Sequence, residues 1–242
     1  MKAVRYAVVL GLICIAAALG LAGTYRLTKP RIEEKAASER AAARKKVVPA
    51  SDAGAMAFET LNPNAPELFQ VVKAVAADGS VLGYAALGES QGYGGKIRVM
   101  VGMDAAAERL TAVTVVAHSE TPGLGSRVAE VESKKTWVRI LKGEAGDVQD
   151  ETTSEFLKQF QNLAPEDMAV GKGVDAISGA TISSKGVTFA ARNAAAKILL
   201  LVRPDSDAAR EFAADVVTSA TPEGYRHDAW KKENPDEKQT PP

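Results

Sequence analysis

The sequence predicts an α+β fold: a single N-terminal transmembrane helix, then a domain with an antiparallel sheet and flanking helices. Three observations carry this prediction. An uncharged apolar run opens the chain, four β-rich runs separated by turn signals fill its middle, and an apolar repeat of helical spacing follows them.

The first run is Tyr6 to Tyr25, YAVVLGLICIAAALGLAGTY. As a helix it spans about 30 Å, the thickness of a bilayer core. Tyr6 and Tyr25 stand at its ends, where amphipathic rings prefer the interface. Gly20-Leu21-Ala22 would pass as a signal-peptidase site, but the apolar core is long for a signal peptide, so the segment reads as a retained anchor. Cys14 follows Ile13 rather than a small residue and reads as a small hydrophobe in the helix. Lys2 and Arg5 precede the span, while Arg26, Lys29 and Arg31 follow it, so basic charge alone does not place the C-terminal part outside.

Residues 26–50 are rich in Ala, Glu, Arg and Lys, good helix formers, and read as a helical stalk. The middle begins near Ala50. Leu68–Ala76 and Val81–Leu87 flank Asp78-Gly79, a hairpin signal. Lys96–Met103 and Leu110–Ala117 complete a four-stranded meander. Glu89–Gly95 (ESQGYGG) reads as a glycine-rich loop carrying Tyr93. Thr152–Leu163 reads as a helix, Lys172–Ile177 as a short strand and Ser184–Val202 as a helix with Val187, Ala190, Ala191, Ala194, Ile198 and Leu201 on one face. Residues 206–242 read as a charged, disordered or partner-binding tail, with room for one short helix over Glu211–Val217.

Composition removes several classes. Thirty basic and thirty acidic residues balance, so nothing supports a nucleic-acid binder. One cysteine excludes intrachain disulfides and thiolate clusters, and two histidines make a histidine metal site unsupported, so no metal site is expected. Any redox chemistry then needs an organic cofactor.

Two stretches carry chemistry. Ser178-Gly179-Ala180-Thr181-Ile182-Ser183-Ser184 brings four hydroxyls to a helix start. Composition leaves two readings open: an N-cap by Ser183 or Ser184, or a small-residue turn that holds phosphate. No Gly-Lys-Ser/Thr ends the turn, so a nucleoside triphosphate loop is unsupported. The second stretch is His118 to Gly125, HSETPGLG, where Pro122-Gly123 is a type II turn signal directly after a strand. There His118 reads as a neighbour of the turn, hydrogen-bonded to it.

Asp175-Ala176-Ile177-Ser178-Gly179-Ala180-Thr181-Ile182-Ser183 resembles the flavinylation motif Asp-x-x-Ser/Thr-Gly-Ala-Thr-x-Ser/Thr. With the anchor, the Tyr93 loop and ETPGLG in the same order, residues 1–203 resemble the FMN-binding family. Its nearest form is the G subunit of the Rnf ion-translocating electron-transport complex; the C subunit of sodium-translocating NADH:quinone reductase is the related alternative. The resemblance implies a cytoplasmic N-terminus (1–5), a span (6–25), a stalk (26–50) and an FMN-binding domain (51–205).

It implies FMN esterified through its phosphate to Thr181, with Asp175, Ser178, Gly179, Ala180, Ser183 and Ser184 around the attachment point. Glu120, Thr121, Gly123, Leu124 and Gly125 would lie against the isoalloxazine, Tyr93 would stack on it, and Lys172 would offset negative charge. No catalytic residue for a small substrate is implied. The partners are the membrane, other membrane, iron–sulfur and flavin subunits of one complex, and a flavin transferase for maturation. The location is the inner (cytoplasmic) membrane, single-pass, with the C-terminal domain on the extracytoplasmic side. A cofactor-free membrane-tethered adaptor is the competing reading of another class.

Overall fold

The computed structural model describes residues 2–48, 56–130 and 154–219. The chain divides into two compact units, Met1–Ala42 and Ala43–Pro242.

The described part of the first unit is helical. It belongs to α1, which runs Lys2–Val47 with Pro30 inside it. The helix is long and apolar enough near its start to cross a membrane, with a mean hydropathy of 2.2 over its best window. Tyr6, Leu10, Leu19 and Tyr25 are exposed on it. The expected span and the described stalk residues 26–47 are therefore one uninterrupted helix; Pro49 and Ala50, at the expected stalk end, lie outside the described residues.

The second unit is α+β, as the sequence predicts. Its sheet has five strands, not four: β1 Met56–Thr60, β2 Val71–Ala76, β3 Val81–Gln91, β4 Lys96–Met103 and β5 Leu110–Ala117, in the order β1-β2-β3-β4-β5, all antiparallel. β1 escapes sequence reading because its five residues, MAFET, are mostly exposed at a sheet edge. β3 runs through Glu89, Ser90 and Gln91, paired to Arg98, Ile97 and Lys96, so the expected seven-residue loop shrinks to Gly92–Gly95. Gly92 N–H closes that turn on the Gly95 carbonyl at 2.7 Å.

Side chains alternate between two cores, as strand geometry requires. One face packs Ala43, Val47 and Val48 against Val72, Ala74, Ala85, Leu87 and Met100. The other receives the long helix α3, Thr181–Val202. Its Val187, Ala190, Ala191, Ala194 and Ile198 are fully buried against Val71, Ile97, Val99 and Val101. Alanines set a close approach: at Gly88 on β3 a Cβ would collide with the Ala190 carbonyl, so only glycine lets helix and strand meet.

Three expectations change. The helix expected over Thr152–Leu163 is one turn, α2 Glu155–Lys158, followed by turns; residues 152–153 lie outside the described residues. Phe156 and Phe160 still meet edge to face in the core. The strand expected at Lys172–Ile177 reduces to a single bridge between Val170 and Val174. The tail expected from residue 206 starts as an ordered helix, α4 Asp207–Ser219, which contains the short helix allowed over Glu211–Val217 and is longer at both ends. Ala209, Phe212, Ala213 and Val216 bury one stripe of it in the core shared with α3. Arg192 locks the pair: Nη1 donates to the Met168 carbonyl at 2.9 Å, Nη2 reaches Asp215, and the guanidinium lies 5.0 Å over the Phe212 ring. Residues 220–242 of the expected tail lie outside the described residues.

Candidate functional site

Three loops meet at the N-terminal end of α3. They are the turn Gly92–Gly95, the Glu120–Gly125 segment after β5, and the approach Asp175–Ala180. Gly179 turns this approach with φ +77°, in the left-handed region that favours glycine. The next residue but one, Thr181, is the first of the helix, and it is exposed.

This start overturns the N-cap reading. Ala180 occupies the cap position and no side chain caps it. Ser183 and Ser184 lie inside the first turn and are buried. Ser184 Oγ accepts from Ile177 N–H at 3.0 Å, holding the approach loop, and Ser183 Oγ–H donates to the Glu120 carboxyl. The amides of Thr181, Ile182 and Ser183 thus have no acceptor among the described residues. Such amides, with the helix dipole behind them, are receptive to an anion.

The ETPGLG segment is braced from within. Leu124 N–H and Ser126 N–H donate to the Thr121 carbonyl, both at 3.2 Å, and Gly123 N–H donates to Ser126 Oγ at 2.8 Å. Gly123 has φ +76°, as the turn signal requires. His118 Nδ1 accepts from Glu120 N–H at 3.3 Å, so this histidine is the turn neighbour that the sequence suggests. Glu120 is 5% exposed and turns inward, whereas Thr121, Gly123 and Leu124 face out. Only Thr121 and Gly125 keep amides in this segment with no acceptor among the described residues.

The structure gathers most of the residues singled out above. Gly125 touches Glu120 and Ser183, and the Gly92–Gly95 turn lies against Ser119 and Glu120. On the turn, the ETPGLG segment and the helix start, Tyr93 (74% exposed), Leu124 and Ile182 leave large apolar surfaces bare. Ser178 and Gly179 are exposed and Ala180 is buried. Asp175 is held at its backbone: Gln159 Oε1 accepts from its N–H at 2.7 Å, and the residue is exposed.

Lys172 is otherwise committed. Its ammonium pairs with Asp167 at 2.8 Å and donates to the Glu166 carbonyl. Two cations that sequence reading passed over stand nearer. Lys185 lies one helical turn after Thr181 and is exposed on the same face. Arg127, also exposed, directs Nη1 toward the Ser178 carbonyl at 3.5 Å. Neither meets a carboxylate within ion-pairing distance among the described residues. The i,i+4 spacing from Thr181 was a signal for Lys185; nothing in the sequence marked Arg127.

The site fits an FMN phosphate: it offers an exposed hydroxyl, three free amides and two cations without acidic partners among the described residues. A metal has no such support, since no cluster of three His, Cys, Asp or Glu exists among the described residues.

Comparison with known proteins identifies the family. Residues 92–196 match the FMN-binding domain, a span that opens at the Gly92 turn and ends within α3. Residues 1–47 match the RnfG N-terminal region. The G subunit of the ion-translocating oxidoreductase complex of Methanosarcina acetivorans is 32% identical over 184 residues, covering 74% of this chain and 85% of that protein. The chain belongs to the Rnf G-subunit family. A second member, the G subunit of the Na(+)-translocating ferredoxin:NAD(+) oxidoreductase complex of Acetobacterium woodii, is 30% identical over 76% of this chain and 86% of its own. The corresponding G subunit of Haemophilus influenzae is 29% identical over 76% and 84%. A crystal structure of the C subunit of Na(+)-translocating NADH-quinone reductase from Parabacteroides distasonis aligns at 18% identity with a TM-score of 0.38, covering 70% of this chain and 85% of that one. The resemblance read from the SGAT and ETPGLG motifs is thus borne out at family level, on the G-subunit side.

Proposed function

We propose that this member of the Rnf G-subunit family is a membrane-anchored electron-transfer subunit of an ion-translocating oxidoreductase complex, carrying FMN as a phosphoester on Thr181. One observation carries the reading. Thr181 is an exposed hydroxyl at the first residue of an uncapped 22-residue helix, inside a flavinylation-type motif.

Attachment is a phosphoryl substitution. Thr181 would supply the acceptor oxygen: with FAD as donor, its Oγ–P bond would replace the phosphoanhydride bond, AMP would leave, and the hydroxyl proton would pass to a base of the flavin transferase. The turn at Ser178 and Gly179 leaves that enzyme room, and exposed Asp175 belongs to its recognition surface. The amides of Thr181, Ile182 and Ser183, with Lys185 and Arg127, offset the phosphodiester charge. Lys172, paired to Asp167, adds little. Thr121 and Gly125 offer their amides to the polar edge of the ring system, and Leu124, Tyr93 and Ile182 supply apolar surface to its faces. When bound, the flavin supplies one- and two-electron redox chemistry.

The chain's own residues support relay rather than pumping. Residues 7–24 of α1 contain no Asp, Glu, Lys, Arg or His, so an ion path belongs to partner subunits. The domain lies on the extracytoplasmic side, where a dissociating FMN would be lost and a tether keeps its local concentration high.

Denaturing electrophoresis of the protein from its native membrane tests the reading. The expected result is a band fluorescent under ultraviolet light that disappears in Thr181→Ala. A dark wild-type band from a host that contains the transferase sinks it and favours the adaptor reading.

A further inference from the structure

Glu120 is the buried acid that this reading leaves without a task. It is 5% exposed and pairs with no cation among the described residues. Oε1 accepts from the Gly94 amide at 3.1 Å, and Oε2 accepts from the Ser183 hydroxyl. Both donors are neutral. A carboxyl buried among neutral donors is costly compared with an apolar side chain of the same size, so general stability does not explain it.

The surroundings are shaped to admit it. A Cβ on Gly92 would collide with Oε1, and a Cβ on Gly125 would collide with both Oε2 and Ser183 Oγ. Two glycines from separate loops thus clear the volume that the carboxyl fills. The third wall is the first turn of α3, where Ser183 points inward while Thr181, two residues earlier, points outward.

We infer that Glu120 is a positioning residue: its carboxyl ties the Gly92–Gly95 turn, the ETPGLG segment and the first turn of α3 into one unit, fixing the Thr181 hydroxyl relative to the flavin-facing loop. The inference rests on the reading of Thr181 as flavin acceptor. A hydrogen-bond network with every member satisfied favours a single arrangement of the segments it joins. Here the arrangement presents one hydroxyl at a set distance from the Thr121 and Gly125 amides. Glu120 touches neither reacting atom.

The test uses the full-length chain produced in a host lacking the transferase, then incubated in detergent with purified transferase and FAD as FMN donor. Flavin incorporation is followed by in-gel fluorescence. Glu120→Ala is expected to lower kcat for incorporation at least tenfold with KM for the chain within twofold, because the recognition motif is intact and only its presentation is lost. Glu120→Gln is expected to recover most of the rate, since its amide can accept from Gly94 and donate to Ser183. Ser183→Ala is expected to slow incorporation as well, and the double variant with Glu120→Ala to be no slower than Glu120→Ala alone.

Circular dichroism checks that each variant is folded. Should Glu120→Ala not fold, Ser183→Ala decides by the same split: it retains the carboxyl and removes one partner, so loss of the tie lowers kcat, whereas loss of motif recognition raises KM. Wild-type kcat in folded Glu120→Ala, or in Ser183→Ala where the former does not fold, overturns the tie while leaving Thr181 as acceptor. A wild-type chain that takes up no flavin overturns both.

Discussion

The two ends of α3 are finished in opposite ways. Farther along the helix, the two half-buried cations are held by the fold. Lys197 Nζ donates to the Leu68 and Leu87 carbonyls, both at 2.9 Å, and sits 4.9 Å over the Phe69 ring. Arg192 is engaged by Met168, Asp215 and Phe212. At the N-terminal end, three amides lack acceptors, and Lys185 and Arg127 lack acidic partners among the described residues. Both cations that the fold itself uses find carbonyl, carboxylate or ring partners within it, with only Arg192 Nε left buried and unpartnered among the described residues. Unsaturated cations and amides in one place mark where something outside the chain is to be bound.

The sharpest way to break that contrast is at Thr181, the proposed acceptor. Thr181→Val keeps the shape of the helix start and removes the hydroxyl; flavin incorporation is expected to fall below detection, at least a hundredfold, in the in-gel assay. Next comes the saturated end. Phe212→Ala removes a ring shared by the α3–α4 core and by Arg192, and is expected to cost about 3 kcal/mol in urea unfolding. A cost under about 0.5 kcal/mol would mean that α4 is an appendage.

Removing charge at the open end should have a smaller effect. Arg127→Gln with Lys185→Gln is expected to slow flavin incorporation about fivefold to tenfold, a loss of order 1 kcal/mol. Lys172→Gln, whose charge is already paired, is expected to stay within twofold. Equal effects at Lys172 and Lys185 would erase the distinction drawn between them.

The smallest effect concerns Lys197. Burial pushes its ammonium down to about 8 from an ordinary 10.5, with Glu89 partly opposing the shift. The unfolded chain therefore holds this proton between those two values while the folded chain releases it. Stability gains from this group as pH rises through that window and is unaffected by it below. Lys197→Met is expected to flatten this part of the Tm-against-pH curve by a few degrees.

Much of this was legible in the sequence. The four central strands announce themselves through β-branched runs and the Asp78-Gly79 turn, and α3 through its alanine stripe. The motifs named the family. What failed to show has physical causes. α4 shows only in part, as the short helix allowed over Glu211–Val217: Ala209, Phe212, Ala213 and Val216 recur at helical spacing, but Asp207, Arg210, Glu211 and Asp215 between them resemble a solvated tail. The helix start was set three residues late because four hydroxyls in a short stretch suggest a cap. Only the fold shows that Ser183 and Ser184 direct theirs to Glu120 and Ile177. The division between Lys172 and Lys185 depends on Asp167 closing an ion pair, which neither lysine's own neighbours reveal.

The Thr181 site draws on residues 92–95, 120–125 and 178–185, segments that meet only after the sheet has paired and α3 has docked. If presentation of the hydroxyl depends on that meeting, a chain that has not reached its native topology is a poor substrate for maturation. The fluorescent label then becomes a certificate of folding, written by a second enzyme onto molecules that have already passed inspection. Fluorescence per unit of protein would report the native fraction of any variant changed away from this site, without purification.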